Sequence, residues 1–411
     1  MRRIIFFYLA SFGTSLLGNS ITAIALPLVV LFTTGSPLSA GVVAIAAALP
    51  AALAGLIMGS LVDKINRRTA AFLSDVISAV ALLILPIIDL TIGLNLGWFI
   101  AVAILNSFGD VPGITARETM VPAIAETVRM APSRLIGLRE SLSGASMLLG
   151  PAVAGILVAT FEPVTVLWVT SGLAALAALL TLVIPKHAAV LSSTHEQDPA
   201  AKPAGWSMFH GLVIIFRSPL LRALVLLGMA LAVVLAATQG MVIPVHFGFQ
   251  GEPQFVGFVL SALAAGLLIG GGSFAALGQR IPQRVWFFTG LVLVAVGIST
   301  IAFLGPVWSI FAGAAIVGIG GGSMTAIVGL AFIENVPDSQ RGTVLGAQNA
   351  LMTLVPAAGI GVASVLIELD GLSLATTVLA AIWILSAFAT LLSPKLRRLG
   401  EGAAEKSLQA S

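Results

Sequence analysis

Three acidic residues lie inside long apolar stretches of the chain, where an ionisable side chain is costly. Asp75, Asp110 and Glu140 are the acids furthest inside these stretches, and Arg139 stands beside the last of them. A charged group in the middle of a membrane helix costs about 2.5 to 3.5 kcal/mol on insertion scales, so each is a functional candidate. A carboxylate in such a place can take up and release a proton. We therefore expect proton coupling at Glu140, Asp110 or Asp75.

Glu140 belongs to a stripe that repeats at helical spacing with Gly144, Met147 and Pro151. A carboxylate on that stripe would be suited to loading and releasing protons. The alternative is a structural ion pair near the membrane surface. Arg139 is adjacent in sequence but about 100° away around a helix, so the partner would come from another segment.

Asp110 repeats at helical spacing with Asn106, Gly113 and Arg117. This pattern predicts a polar face on one membrane helix and favours a functional role for the carboxylate. For Asp75 the alternative has more weight, because an acid near the end of a span is often a packing partner for an arginine. Both interpretations stay open for each acid.

The composition indicates what surrounds these residues. Of 411 residues, 58% are apolar and only 9% are charged, and the mean hydropathy is +1.08. Soluble domains average about 25% charged residues, so this chain has too little polar surface to face water on all sides. The composition excludes a soluble enzyme, a disordered chain and, despite a net charge of +3, a nucleic-acid binder. There is no cysteine, and the four histidines show no ligand spacing, so we expect no metal site.

Hydropathy predicts an all-α membrane protein with twelve transmembrane helices in two six-helix lobes, since about 20 apolar residues cross a bilayer. All 20 Lys and Arg residues fall in the segments that share one side with both termini, so the positive-inside rule predicts cytoplasmic termini. The predicted spans are 4–32, 39–61, 69–88, 97–118, 134–160, 164–185, 219–245, 254–277, 284–304, 307–332, 341–367 and 372–393.

A hydrophilic interval of about 186–206 divides the chain into two halves. It is followed by Trp206, Phe209, Val213 and Phe216 at helical spacing, which favours a short helix in the membrane interface. Short matches between the halves, such as Ile24–Pro27 with Met241–Pro244, favour a duplicated six-helix unit. The predicted domains are an N-terminal lobe (1–185), a cytoplasmic linker with the interfacial helix (186–218), a C-terminal lobe (219–393) and a cytoplasmic tail (394–411).

Two motifs resemble those of the major facilitator superfamily. The stretch from Gly59 to Arg68 is similar to its G-x-L-a-D-r-x-G-r-r loop signature, with Asn66 where the family has glycine; Asn tolerates the same left-handed turn. Span five resembles the g-x-x-x-G-P-x-x-G-G pattern of drug/proton antiporters, with two glycines replaced by other small residues. Its matching positions are Ser146, Gly150, Pro151 and Gly155.

A finer resemblance links the first 170 residues to Tap-type multidrug efflux pumps and, more loosely, to macrolide exporters. It rests on Thr115–Pro122, Gly137–Glu140, Gly150–Pro151 and Ala25–Pro27. Tap-type pumps carry an acid at the place of Glu140. They also carry one after the glycine of span one, where this chain has Asn19.

The resemblance implies a gating latch on the cytoplasmic side. The loop aspartate would meet the N-terminus of span eleven, near Arg341–Thr343, where helix-end N–H groups stabilise an anion. Arg67 would pair with Glu118, and the latch would break when the cytoplasmic side opens. The alternative is that these charges only determine topology. The implied gating residues are Gly59, Asp63, Arg67, Arg68 and Glu118.

The resemblance also implies that spans one, four, seven and ten line a central cavity. Polar side chains repeat on these spans, but interhelical hydrogen bonds, worth about 0.6 kcal/mol on average, would explain them equally well. The cavity candidates are Asn19, Thr22, Asn106, Arg139, Gln239, Asn349 and Met352.

We therefore expect a multi-pass transporter of a bacterial plasma membrane, not an enzyme, that exports small amphipathic compounds by proton antiport with alternating access. Its partners would be a small-molecule substrate, protons and the bilayer, with no cofactor, nucleic acid or nucleotide, and the protein would be a monomer. The runs Gly270–Gly272 and Gly320–Gly322 lack the strand and Lys-Ser/Thr of a phosphate loop. The alternatives are a proton-coupled symporter, an exporter of one endogenous metabolite, siderophore or lipid-like molecule, and a non-transporting structural membrane protein.

Overall fold

Every regular element in the described part of the protein is a helix. The computed structural model describes residues 2–62, 66–185, 204–278, 280–336 and 338–392. This confirms the prediction of an all-α protein. The helices are α1 (Arg2–Thr34), α2 (Pro37–Val62), α3 (Arg67–Thr91), α4 (Leu96–Val128), α5 (Pro132–Thr160), α6 (Pro163–Val183), α7 (Ala204–Arg217), α8 (Pro219–Ala237), α9 (Ile243–Phe249), α10 (Gln254–Leu277), α11 (Gln283–Ala302), α12 (Val307–Asn335) and α13 (Asp338–Leu392).

Ten stretches among the described residues are long and apolar enough to cross a membrane, and Pro37–Leu53 is a shorter apolar one. The last of the ten, Leu351–Leu392, contains two helical pieces. They meet at Asp370 and Gly371, whose backbones are not helical, and Gly371 has a φ of 76° that favours glycine. This break lies between the predicted spans 341–367 and 372–393.

The end of α4 differs from the prediction. Span four was expected to stop at 118, with Arg117 in a cytoplasmic segment, but the helix continues to Val128 and ends at Arg129 in a left-handed conformation. Arg117, which the prediction placed at the cytoplasmic edge of the span, is buried inside the helix bundle, with only 2% of its surface exposed, because Asp75 of α3 neutralises its charge. A hydropathy average along the sequence contains no information about a counter-charge that another helix supplies.

Contacts divide the helices into two compact units. The first unit contains α1 to α6 together with Pro244–Gly257. In it, α3 packs against α4 and α6, α1 packs against α5 and α6, and α2 packs against α4. Part of the core is a buried cluster around Tyr8, with Met120 and Ile124 of α4 among its members.

Two glycines of α4 bring α3 close. A Cβ atom at Gly109 would lie 2.8 Å from the carbonyl oxygen of Ser74, and one at Gly113 would lie 3.1 Å from the Cβ of Ser74. Small residues allow such close approach between membrane helices. The polar side chains of α3 can therefore reach those of α4.

The second unit contains α7, α8, most of α10, and α11 to α13. In it, α11 packs against α12, and α13 packs against α7 and α8. Between α8 and α9 the residues Thr238–Val242 form a π-helical turn that contains Gln239. A Cβ atom at Gly240 in this turn would lie 2.9 Å from Cδ1 of Ile360, so a side chain of α13 fills that space.

Glycines also hold α12 against α10, which leads to a first prediction. A Cβ atom at Gly318 would lie 2.8 Å from the Cα of Gly266 and 2.8 Å from the backbone nitrogen of Leu267. Gly318→Ala should therefore destabilise the protein by about 1 to 3 kcal/mol, the usual cost of overpacking. The measurement is the fraction of purified protein that stays monodisperse in detergent after heating.

Gly329 on the same helix is the matched control. A Cβ atom there would meet no other atom within 4 Å, so Gly329→Ala should leave the melting temperature unchanged or raise it slightly. Equal melting temperatures for the two variants would show that close packing at Gly318 does not stabilise the unit.

Candidate functional site

A buried ion pair joins Asp75 of α3 to Arg117 of α4, with 5% and 2% of the two side chains exposed. The Arg117 guanidinium also donates to the hydroxyl oxygens of Ser11 at 3.1 Å, Ser15 at 3.4 Å and Thr181 at 3.5 Å. Ser15 in turn donates to Oδ1 of Asp75 at 3.1 Å. Four helices therefore share one charge-compensated cluster.

Asp110 lies further along α4 and has a different environment. Ser78 of α3 donates its hydroxyl to Oδ1 of Asp110 at 3.0 Å, and Asn106 donates its amide Nδ2 to Oδ2 at 2.7 Å. Both donors are neutral. Within the described ranges, no basic side chain forms an ion pair with Asp110.

The amide of Asn106 is only half satisfied. The residue is 9% exposed, and its Oδ1 is buried without a hydrogen-bond partner in the part of the chain that the structure describes. Ser107, the next residue, donates to the carbonyl oxygens of Ala47 and Ala103 instead. An unpaired amide oxygen therefore lies beside the Asp110 carboxylate.

A second ion pair connects α4 to α5. Arg139 donates to Oε1 of Glu118 at 3.3 Å, and its guanidinium lies 4.7 Å from the ring centre of Phe12. Arg139 is 7% exposed at the side chain, whereas Glu118 is 55% exposed. The expected pairing of Arg67 with Glu118 is wrong.

Arg67 instead donates to the carbonyl oxygen of Thr119 at 2.9 Å. Its guanidinium is bound to a backbone carbonyl one residue beyond Glu118 rather than to the Glu118 side chain. The Glu118 carboxylate is thus left to Arg139. Arg139, a cavity candidate by sequence, is occupied by this pair and by Phe12.

The remaining loop-motif residues stabilise helix ends. Arg68 donates Nε to the carbonyl oxygen of Thr181 at 3.2 Å and its Nη2 to that of Leu182, at the end of α6. Asn66 caps α3 by accepting the backbone N–H of Arg68 at 3.0 Å. Its φ is −58°, so the expected left-handed turn is wrong: capping, not a left-handed backbone, explains the residue.

The structure does not test the part of the predicted latch that involves Asp63. Asp63 lies outside the described residues, and so does the predicted contact between Asp63 and the start of span eleven. Gly59 lies within α2.

Glu140 is exposed on α5. Its carboxylate has no hydrogen bond or ion pair with any residue in the described ranges. The structure therefore brings Asp75 and Asp110 into hydrogen-bond networks between helices but does not bring Glu140 into either of them.

The span-five motif packs closely. Ser146 is buried, and a Cβ atom at Gly150 would lie 3.2 Å from the hydroxyl of Ser20 on α1. A Cβ atom at Gly155 would lie 3.0 Å from the Cα of Gly257, which also approaches the backbone of Pro151. Small residues at this motif therefore serve close helix packing.

The other cavity candidates differ in their surroundings. Thr22 is buried and donates its hydroxyl to the carbonyl oxygen of Gly18 at 2.9 Å within its own helix. Asn19, Gln239 and Met352 are half-buried, and Met352 of α13 faces Gly228 of α8. Asn349 lies in α13.

Five members of these networks are absent from the sequence-based site candidates: Ser11, Ser15, Ser78, Arg117 and Thr181. Each is a polar residue in an apolar helix, and that is the signal that could have found them. What the sequence does not show is which helix faces which. Chemically, the two networks hold one carboxylate that a guanidinium neutralises and one that only neutral donors bind.

Known proteins are similar to this chain over most of its length. The sequence model of the Major Facilitator Superfamily matches residues 8–251 and 225–410. The multidrug efflux pump Tap of Mycolicibacterium fortuitum is 29% identical over 385 residues, which cover 93% of each chain. Macrolide efflux protein A of Streptococcus pyogenes is 24% identical over 354 residues, which cover 85% of each chain.

The fold is also found in a solved structure. The nucleoside transporter NupG superposes with a TM-score of 0.77 at 15% identity, covering 95% of this chain and 98% of that one. The resemblance inferred from the motifs is thus confirmed, as is a multi-pass protein of the bacterial plasma membrane. Since the family match extends over nearly all of the sequence, the chain belongs to the Major Facilitator Superfamily.

Proposed function

We propose that this transporter exports small amphipathic compounds, several drugs among them, in exchange for protons. The similarity to a multidrug efflux pump and to a macrolide efflux protein supports export. The proposal includes twelve membrane crossings, with both termini on the cytoplasmic side, and alternating access between the two six-helix lobes joined by the linker 186–218.

The observation that carries the proton part is the contrast between the buried carboxylate of Asp75 and the half-buried carboxylate of Asp110. Asp75 is paired with Arg117, so protonating it would leave a buried guanidinium without its counter-charge, a change that costs several kcal/mol. Asp110 is held only by Ser78 and Asn106. Its proton can come and go without stranding a cation, which makes Asp110 the coupling residue.

The exchange then follows from one carboxylate with two competing occupants. A proton that enters from outside binds an Asp110 oxygen and neutralises it, and the same proton leaves when the site opens to the cytoplasm. Substrate binds the deprotonated form and is carried outward. One proton moving down 100 mV supplies about 2.3 kcal/mol, and each unit of pH difference adds about 1.4 kcal/mol.

The charges in the second half of α4 serve gating in this scheme. The Glu118–Arg139 pair joins α4 to α5, while Arg67 and Arg68 connect the start of α3 to the second half of α4 and to the end of α6. Glu118 is half-exposed, so this pair can break at a small cost in free energy. We assign these residues to the latch rather than to proton transfer.

The proposal is tested first by a drug-susceptibility panel in a host without its own efflux pumps. Compounds that the protein makes less toxic are then followed in everted membrane vesicles, where an imposed pH gradient should drive protein-dependent uptake that a protonophore abolishes. Movement of compound and protons in the same direction would establish a symporter instead. No protection against any compound would contradict multidrug export.

A further inference from the structure

The orphan amide oxygen of Asn106 is a buried acceptor for which the described part of the chain supplies no donor. Asn106 is 91% buried, and its Nδ2 is already committed to Asp110 at 2.7 Å. A buried acceptor that has lost its hydrogen bonds to water is destabilising unless something replaces them. This makes the Oδ1 of Asn106 the place to look for a group that the chain itself does not contain.

The neighbouring groups restrict what that group can be. Asn106 and Asp110 are four residues apart and share one face of α4, so the free oxygen and the carboxylate are neighbours. Ser78 already donates to the carboxylate at 3.0 Å. The guanidinium of Arg117 is paired with Asp75, so it is not available to compensate Asp110.

We propose that Asn106 and Asp110 together bind a protonated amine of the exported compound. The ammonium charge compensates the Asp110 carboxylate, and one of its N–H groups donates to Oδ1 of Asn106. The inference rests on the proposed function, since it assigns the chemical class of its substrate. It also makes Asn106 a specificity residue that separates amines with an N–H from quaternary ammonium ions.

Protonation of Asp110 would dismantle this site in two ways. The carboxylate loses the charge that attracts the ammonium. Its new O–H can then donate to the Asn106 oxygen after the amide turns over, which removes the free acceptor as well. Proton and amine therefore exclude each other at the same two residues.

The test uses two fluorescent probes that differ only in their N–H groups: monodansylcadaverine, a primary amine, and its N,N,N-trimethyl derivative. Binding to the purified full-length protein in detergent is followed by dansyl fluorescence. The wild type should bind the primary amine about tenfold more tightly, the factor that one hydrogen bond to a charged group supplies.

Three variants locate the effect. Asn106→Leu should bind both probes with equal affinity, and Asn106→Ser, which restores a small acceptor, should recover part of the preference. Asp110→Asn should weaken the binding of both probes. Ser107→Ala is the matched control, because Ser107 is buried on the same helix turn but donates to the backbone of Ala47 and Ala103, and it should keep the preference.

Equal binding of the two probes by the wild type would overturn the inference, as would failure of the wild type to bind either probe. A preference that survives in both Asn106 variants, or that disappears in Ser107→Ala, would overturn it too. Proton-driven export in vesicles does not depend on this preference. Loss of the preference with intact proton-driven export thus contradicts only the role of Asn106, whereas absence of export with an intact preference contradicts the proposed function.

Discussion

Asp110→Asn should reduce proton-driven export to the level of vesicles that lack the protein. The substitution keeps the size of the side chain and an oxygen that can still accept the Ser78 hydroxyl, so the packing of α3 on α4 survives. What it removes is a carboxylate that is held by neutral donors alone. Without a group that alternates between charged and neutral forms, a pH gradient has nothing to act on.

The measurement is the initial rate of compound uptake into everted vesicles under an imposed pH gradient, at matched protein levels. Glu140→Gln is the control, because Glu140 is exposed and has no partner among the described residues. We expect this variant to keep most of the wild-type rate. The opposite result, with Glu140→Gln inactive and Asp110→Asn active, would move the coupling site to α5.

Breaking the Asp75–Arg117 pair should produce the largest loss of stability. Asp75→Asn leaves the Arg117 guanidinium buried without its counter-charge, and Arg117→Met does the same to the Asp75 carboxylate. Removing one partner of a buried pair costs about 3 to 5 kcal/mol. Each single variant should therefore show a sharply lower melting temperature and a low yield of monodisperse protein.

The double variant Asp75→Asn/Arg117→Met separates this cause from general damage to the core. It carries neither buried charge, so it should be more stable than either single variant, since a neutral replacement of a buried pair is often tolerated. Heating in detergent, followed by size-exclusion chromatography, gives the melting temperatures of the wild type, the two single variants and the double variant, which together form a double-mutant cycle. If the losses of the two single variants add in the double variant, the pair is not the stabilising unit.

The course of the membrane helices could be predicted from hydropathy because apolar length alone decides it. The break at Gly371 could be predicted for the same reason, since the apolar run is interrupted there. The end of α4 could not. The charged residues near 117 are typical of the cytoplasmic edge of a span, and the sequence does not show that Asp75 of another helix neutralises Arg117.

In the candidate site too, contacts within one helix could be predicted from the sequence, whereas contacts between helices could not. The spacing of Asn106 and Asp110 predicts one helical face, and a hydrogen bond joins the two side chains. The hydrogen bond from Ser78 to Asp110 joins two helices, and the spacing of residues within one helix cannot predict it. The wrong prediction for the partner of Arg67 shows that sequence patterns do not resolve single contacts. A shift of one residue, from Glu118 to Thr119, changes its partner from a carboxylate to a backbone carbonyl.

The cap at the start of α3 bears on how such loops are recognised in other sequences. Asn66 stands where the superfamily pattern has glycine, and here the position is a helix N-cap. Asparagine and glycine are both accepted N-cap residues, along with serine, threonine and aspartate. A search pattern that scores residue identity counts Asn66 as a mismatch, whereas one that scores capping ability counts it as a full match. Loops of this kind are therefore better described by the role of each position than by its letter.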